Sequence, residues 1–188
     1  MNRKIKYIII AFLTSSISFA QNLTLDTSIS SLKWIGKELS TKEHYGSLKF
    51  KSGNLTLKND QPLGGKFVVD MTSLKNLDLP ENYRARLEGH LKSDDFFSVS
   101  KFPEAYLEME STTKKGENNF EIKGVLIIKG IKFPITFDML NKNGNWEANL
   151  VFDRSKYDVR FKSGSFFENL GDKLIYDDIE IETKLVFN

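Results

Sequence analysis

From Leu23 onward, apolar and polar residues alternate with a period of two over most of the chain. That period is the mark of strands with one buried and one wet face. Leu32 and Trp34 fall opposite Lys33 and Lys37, Leu48 and Phe50 opposite Lys49 and Lys51, and Leu55 and Leu57 opposite Thr56 and Lys58. Phe67, Val69 and Met71 share a face, and so do Ala105, Leu107 and Met109. A longer strand carries Phe120, Ile122, Gly124, Leu126 and Ile128 inward; because Val125 and Ile127 make its end apolar on both sides, burial of both faces is expected there. Ile131 to Met139, Trp146 to Phe152 and Ile179 to Phe187 complete the series. Ser52-Gly53-Asn54, Lys58 to Gln61, Lys129-Gly130 and Asn143-Gly144 read as the turns between neighbouring strands, and Gly64-Gly65 as a tight turn or bulge. The stretches Thr72 to Pro80 and Asp153 to Gly171 read as irregular, the second with a helical turn at Ser165 to Glu168.

The alternation breaks between Pro80 and Pro103. Tyr83, Leu87 and Leu91 recur every four residues after Pro80, which predicts a helix with one apolar face. Ser93 is placed to cap a second short helix, with Asp94 and Asp95 in its favourable first turn, Phe96 and Phe97 as its apolar payload and Pro103 as its stop. The expected result is a helical lid or plug between two all-β halves.

Eight or more strands with polar outer faces and short connections predict an all-β fold, an antiparallel barrel closed on itself so that no edge is left exposed. A sandwich is the competing arrangement. An eight-stranded barrel is just wide enough inside to be filled by side chains or to hold one small ligand. The inward set here is long, aromatic and nearly free of charge.

The first residues change the picture of compartment. Arg3, Lys4 and Lys6, an apolar run from Ile8 to Phe19, and the small-x-small triplet Ser18-Phe19-Ala20 read as a secretory signal peptide over residues 1–20, cleaved after Ala20. Residues 21–188 then form one secreted domain, with no segment long and apolar enough to be a stable membrane span. The formal charge of +2 owes three positive charges to Arg3, Lys4 and Lys6, so the remainder is slightly acidic. Without a basic excess there is no electrostatic ground for binding nucleic acid. With no cysteine, neither disulfides nor thiol chemistry is available.

Catalytic signatures are thin. His44 and His90 are the two histidines, no Gly-x-Ser-x-Gly elbow occurs, and Asp177-Asp178, adjacent on a strand, would point to opposite faces. Neither histidine has a partner at metal-ligand spacing. His44 suits a bend with a satisfied imidazole. His90 reads either as a helix-end histidine bonded to a carbonyl or as the polar partner of a ligand headgroup; Phe96, Phe97 and Phe102 either close one barrel end or line and gate a tunnel.

Several blocks, taken together and in order, resemble the YceI-like family of periplasmic polyisoprenoid-binding proteins. They are Trp34-x-Gly36-Lys37, His44-x-Gly46, Gly64-Gly65-x-Phe67-Val68-Val69-Asp70-Met71, His90-Leu91-Lys92-Ser93-Asp94-Asp95-Phe96-Phe97 with Phe102-Pro103-Glu104-Ala105, Gly124-x-Leu126-x-Ile128-Lys129-Gly130, and Asp153-Arg154-Ser155-x-Tyr157. The resemblance implies an extended, lipocalin-like barrel of eight antiparallel strands with a short helical insertion. Its elongated pore would hold a long isoprenoid or other long-chain lipid, a quinone-like molecule among them, with no enzymatic activity and no cofactor. The residues expected to meet such a ligand, chosen by alternation, are Trp34, Phe50, Phe67, Val69, Leu107, Leu126, Ile128, Phe137, Trp146, Leu150 and Ile181, with His90, Phe96 and Phe97 from the lid. Two other readings stay open: a structural or stress-related barrel filled by its own side chains, and an enzyme acting on a lipid headgroup through His90 and Asp94-Asp95. A homodimer through an outer barrel face is open as well.

Overall fold

The computed structural model describes residues 19–40 and 42–188; the basic and apolar parts of the expected signal peptide lie outside the described residues. Among the described residues nine strands and one α-helix follow in the order β1 (Gln21–Thr24), β2 (Ser31–Glu38), β3 (Glu43–Lys58), β4 (Gln61–Asn76), α1 (Glu81–Lys92), β5 (Glu104–Lys114), β6 (Asn119–Ile128), β7 (Ile131–Lys142), β8 (Asn145–Asp153) and β9 (Ile175–Leu185). All pairings are antiparallel. The order β3-β2-β9-β8-β7-β6-β5-β4 closes on itself through β3–β4, giving an eight-stranded barrel. The extra strand, β1, precedes β2 and pairs with the same strand further along: β1 pairs with β3 at Thr24↔Asn54, and Leu25 bridges Phe187 beyond the end of β9. Among the described residues no helix is long and apolar enough to cross a membrane.

Three hairpins turn where the sequence reading placed them. Asn59 and Asp60, Lys129 and Gly130, and Asn143 and Gly144 all have positive φ, the paired left-handed conformation whose twist matches that of the flanking strands. Ser52-Gly53-Asn54, in contrast, makes no turn: β3 runs through it with a register shift between Phe50 and Ser52. Gly53 serves close approach instead, because a Cβ there would stand 2.8 Å from the Phe67 ring and 2.9 Å from Leu25. The bulge expected near Gly64 is present opposite Thr56 and Leu57. Thr72 to Asn76 belongs to β4 rather than to an irregular segment, and a register shift around Met71 to Leu74 lets both of those residues point inward. At the end of β6, Val125 and Ile127 are half-buried, so the outer face is only partly covered.

The helical region is also simpler than expected. α1 begins after Pro80, with Glu81 in its first turn and His90 and Lys92 in its last, as the helix dipole favours. Ser93 is its C-cap, and no second helix follows; Asp94 to Ser100 form turns held by Ser98 N–H to Ser93 O (2.8 Å) and Val99 N–H to Lys92 O (2.9 Å). Asp94 pairs with Lys101 at 2.7 Å instead of standing in the first turn of a second helix. Of the predicted face, Leu91 is buried and Leu87 partly so, while Tyr83 stands in solvent. Between β8 and β9 a short 3-10 turn, Arg154–Tyr157, leads into the loop that crosses the same barrel end as α1.

Candidate functional site

The inward rows of the strands do not fill the barrel. They enclose an elongated apolar cavity of about 180 Å³. Small inward residues make the room: Gly36, Ala105, Ala148 and Thr183 stand where a large side chain would fill it. Thr183 brings no free polar group, since its hydroxyl donates to Ala148 O at 3.0 Å.

The wall mixes aromatic and aliphatic side chains all the way round. Trp34, Phe50, Phe67 and Val69 come from β2, β3 and β4; Leu107, Leu126, Ile128, Phe137, Leu150 and Ile181 from β5 to β9. The Phe50 and Phe67 rings meet tilted at 6.3 Å, and the Trp34 indole N–H donates to Lys75 O at 3.1 Å, which satisfies the ring's one polar atom within a buried wall. From above, Leu87, His90, Leu91, Phe96 and Phe97 cover the cavity. It reaches the surface beside them, where the half-buried Lys37, Glu38, His44 and Ile175 line it.

Two polar devices hold this cover. On one side, Glu88 of α1 accepts from the Asn76 backbone N–H (2.9 Å) and from Lys75 Nζ (3.4 Å), and the Asn76 side chain bonds Tyr45 O and Asp78. Asp78 Oδ2 lies 2.7 Å from His44 Nδ1. Burial alone would raise the carboxyls of Asp78 and Glu88; the hydrogen bonds they accept outweigh it and hold both below their ordinary values. On the other side, the fully buried Arg154 donates to the carbonyls of Tyr176, Val159 and Ile175 at 3.1–3.2 Å and pairs with Asp177 at 3.2 Å. Its guanidinium also lies 5.3 Å from the centre of the Phe96 ring. Tyr157, buried between Phe133 and Phe152, fills the β7 side of this end, and burial pushes its hydroxyl up to about 12.

His90 sits between the two devices. Its ring packs edge-on against Phe161 at 4.3 Å and Phe96 at 5.8 Å, and its Nε2 is buried with no hydrogen-bond partner. Burial lowers its pKa; Asp95 opposes that effect and Lys162 adds to it, so the neutral imidazole is the favoured form. A neutral histidine with a free buried nitrogen can hydrogen-bond a ligand oxygen. Asp94 is engaged with Lys101 on the exposed turn, and the imidazole of His44 is satisfied by Asp78, within a strand rather than at a bend.

All the candidates drawn from alternation except Trp146 line the cavity. Trp146 points inward, as expected, but lies beneath the cavity and takes no part in its lining. The reading by alternation missed Arg154 as a fastener of the cover and the small inward residues that create the space. The second group had a sequence signal, small residues recurring at inward positions of otherwise bulky rows; Arg154 had none beyond its place in a family-like block.

A family model described as "YceI-like domain" matches residues 23–187. A UPF0312 protein of Pseudomonas putida W619 is 33% identical over 93 residues, covering 50% of this chain and 46% of that protein. Protein YceI of Salmonella newport is 29% identical over 102 residues, 54% of this chain and 51% of its own. The chain thus spans about half the length of these relatives in the matched regions. Among solved structures, Burkholderia cenocepacia BcnA superposes with a TM-score of 0.68 at 18% identity, covering 86% of this chain and 98% of that one. A polyisoprenoid binding domain from Saccharophagus degradans superposes with a TM-score of 0.59 at 13% identity over 88% of this chain and 97% of the other. At such identities the structural likeness bears on the fold alone, whereas the family match extends from β1 to the residues just beyond β9, and on that match the chain belongs to the YceI-like family.

Proposed function

We propose that this protein binds the tail of a long isoprenoid or similar lipid lengthwise in the barrel, with the polar head at the mouth beside His90, and carries or stores it without chemical change. The observation that carries this reading is the continuous apolar cavity to which every strand of the closed barrel contributes. Burying one methylene contributes about 0.8 kcal/mol, so even partial burial of a long tail outweighs the cost of association. Little along the wall distinguishes one hydrocarbon from another, which leaves the head to the unpartnered His90 Nε2. Membership of the YceI-like family and the fold shared with a polyisoprenoid binding domain support the same reading. With the basic and apolar residues that precede Gln21 acting as an export signal, the place of action is the periplasm.

The test is native mass spectrometry of protein purified from its own cells, beside mass spectrometry of its organic extract. A stoichiometric adduct with isoprenoid fragmentation is the expected result. Protein that is empty and also refuses added prenyl lipids would sink the proposal and leave a barrel that acts through its outer surface.

A further inference from the structure

The cavity has a built end. Along β8, from the mouth inward, Phe152, Leu150 and Ala148 line it, and the next inward residue, Trp146, does not. Along β6, Ile128 and Leu126 line it, whereas Ile122 and Phe120 do not. Trp146 and Phe120 are 1% and 3% exposed, and their rings pack at 5.7 Å. The last lining residues lie in register with this pair: Phe120 stands opposite Met139, Met139 opposite Ala148, and Trp146 opposite Leu185. Leu55 and Ile122, neither exposed at all, are likewise buried in the core without lining the cavity.

We infer that the Trp146–Phe120 pair is the stop that fixes the greatest tail length the cavity accepts, so that these two residues set chain-length specificity although they contribute nothing to its wall. The inference rests on the lipid-binding reading above. A tail seated against the stop gains affinity for each methylene it brings inside, roughly fourfold per methylene, and any further methylene stays at the mouth and adds little. Close packing is what makes the stop firm: a buried indole against a phenyl ring leaves no direction in which a tail end can push without opening the far hairpins. Removing the indole creates an apolar hole contiguous with the cavity, and holes of that kind stay dry and accept hydrocarbon.

The experiment titrates the full mature chain, freed of endogenous lipid, with all-trans prenyl alcohols that grow by one isoprene unit at a time; occupancy is read by native mass spectrometry. In the wild type, affinity should climb with length and then level off. Trp146→Ala should move the levelling point to longer tails. Ala148→Leu, which grows into existing space and does not disturb the packed end, should move it to shorter ones. Circular-dichroism melting establishes that each variant is folded, and Phe120→Leu, which opens the other half of the pair and should also move the levelling point to longer tails, decides the matter if Trp146→Ala is not. Affinity that rises without levelling in the wild type, or a levelling point unmoved in the folded variants, overturns the stop while leaving lipid binding in place. A wild type that binds no prenyl alcohol of any length overturns the lipid-binding reading, and the stop with it.

Discussion

Trp34 lies against the bare backbone of Gly46. The two are paired across β2 and β3, and a Cβ placed on Gly46 would stand 2.7 Å from the indole and 1.8 Å from the carbonyl oxygen of Lys75, the same carbonyl that accepts the indole N–H. The tryptophan can face the cavity while keeping its hydrogen bond to β4 because nothing projects from residue 46.

Gly46→Ala therefore meets backbone rather than a movable side chain. A loss of about 3 kcal/mol is expected, toward the upper end for overpacking, equivalent to a melting temperature lower by roughly 6–12 °C. Thermal melts of wild type and variant that coincide would contradict this account of the Trp34 seat.

Arg154 fastens the β8–β9 loop by satisfying three carbonyls and a carboxylate at once. Arg154→Leu removes the donor to the buried Val159 carbonyl and the charge partner of Asp177, and a cost of about 3–5 kcal/mol is expected. Arg154→Lys is not expected to rescue the loss, because one ammonium cannot span the positions that a planar guanidinium reaches. Urea unfolding midpoints of the two variants check both statements; a lysine variant as stable as wild type would refute the second.

The folded state holds the His90 pKa below the ordinary 6.5. As pH falls, the unfolded chain takes up this proton first, so the contribution of His90 to stability is full above 6.5 and is lost as pH drops from there toward the lower folded value. The hydrogen-bonded carboxyls Asp78 and Glu88 add a second loss at lower pH, as the medium passes below their ordinary values of 3.8 and 4.5 toward the folded ones. His90→Phe should flatten the first step and leave the second. Melting temperatures across this pH range test the assignment, and a first step that persists in His90→Phe would move it to another group.

Leu107 lines the cavity and is only half-buried, so an acidic side chain there can be hydrated in the empty barrel. A bound tail would strip that water away. Leu107→Asp should remain folded and lose about a hundredfold or more in affinity for prenyl lipids at neutral pH, the charge being left unpaired against hydrocarbon. Unchanged loading of the folded variant would remove Leu107 from the binding surface.

Strand pattern and turn chemistry made the barrel wall legible in the sequence, since alternation needs no knowledge of neighbours: Leu126 and Ile128 declare their face by their own spacing, and Asn143-Gly144 declares its turn. Ser52-Gly53-Asn54 misled because its glycine answers to Phe67 and Leu25, which come from elsewhere in the chain. Ser93 misled in the same way. Its hydroxyl can serve either end of a helix, and here it donates to His90 O at the end of α1. Alternation also cannot separate lining from floor, which is why Trp146 and Leu150 looked equivalent although one lies beneath the space that the other borders. That difference is set by how far each strand extends past its neighbours, a property of barrel stagger and not of any one segment.

The stop at Trp146 gives the cavity a direction in time as well as in space. In a tube closed at the bottom, the hydrocarbon end is first in and last out, so every arrival and departure is led or followed by the head passing α1. If the barrel carries a lipid as proposed, a membrane or protein that took it would meet the head before any of the tail had left the barrel. On that reading residence would be governed by the slow withdrawal of apolar length past Phe96 and Phe97, and longer tails, up to the stop, should be held for longer as well as more tightly.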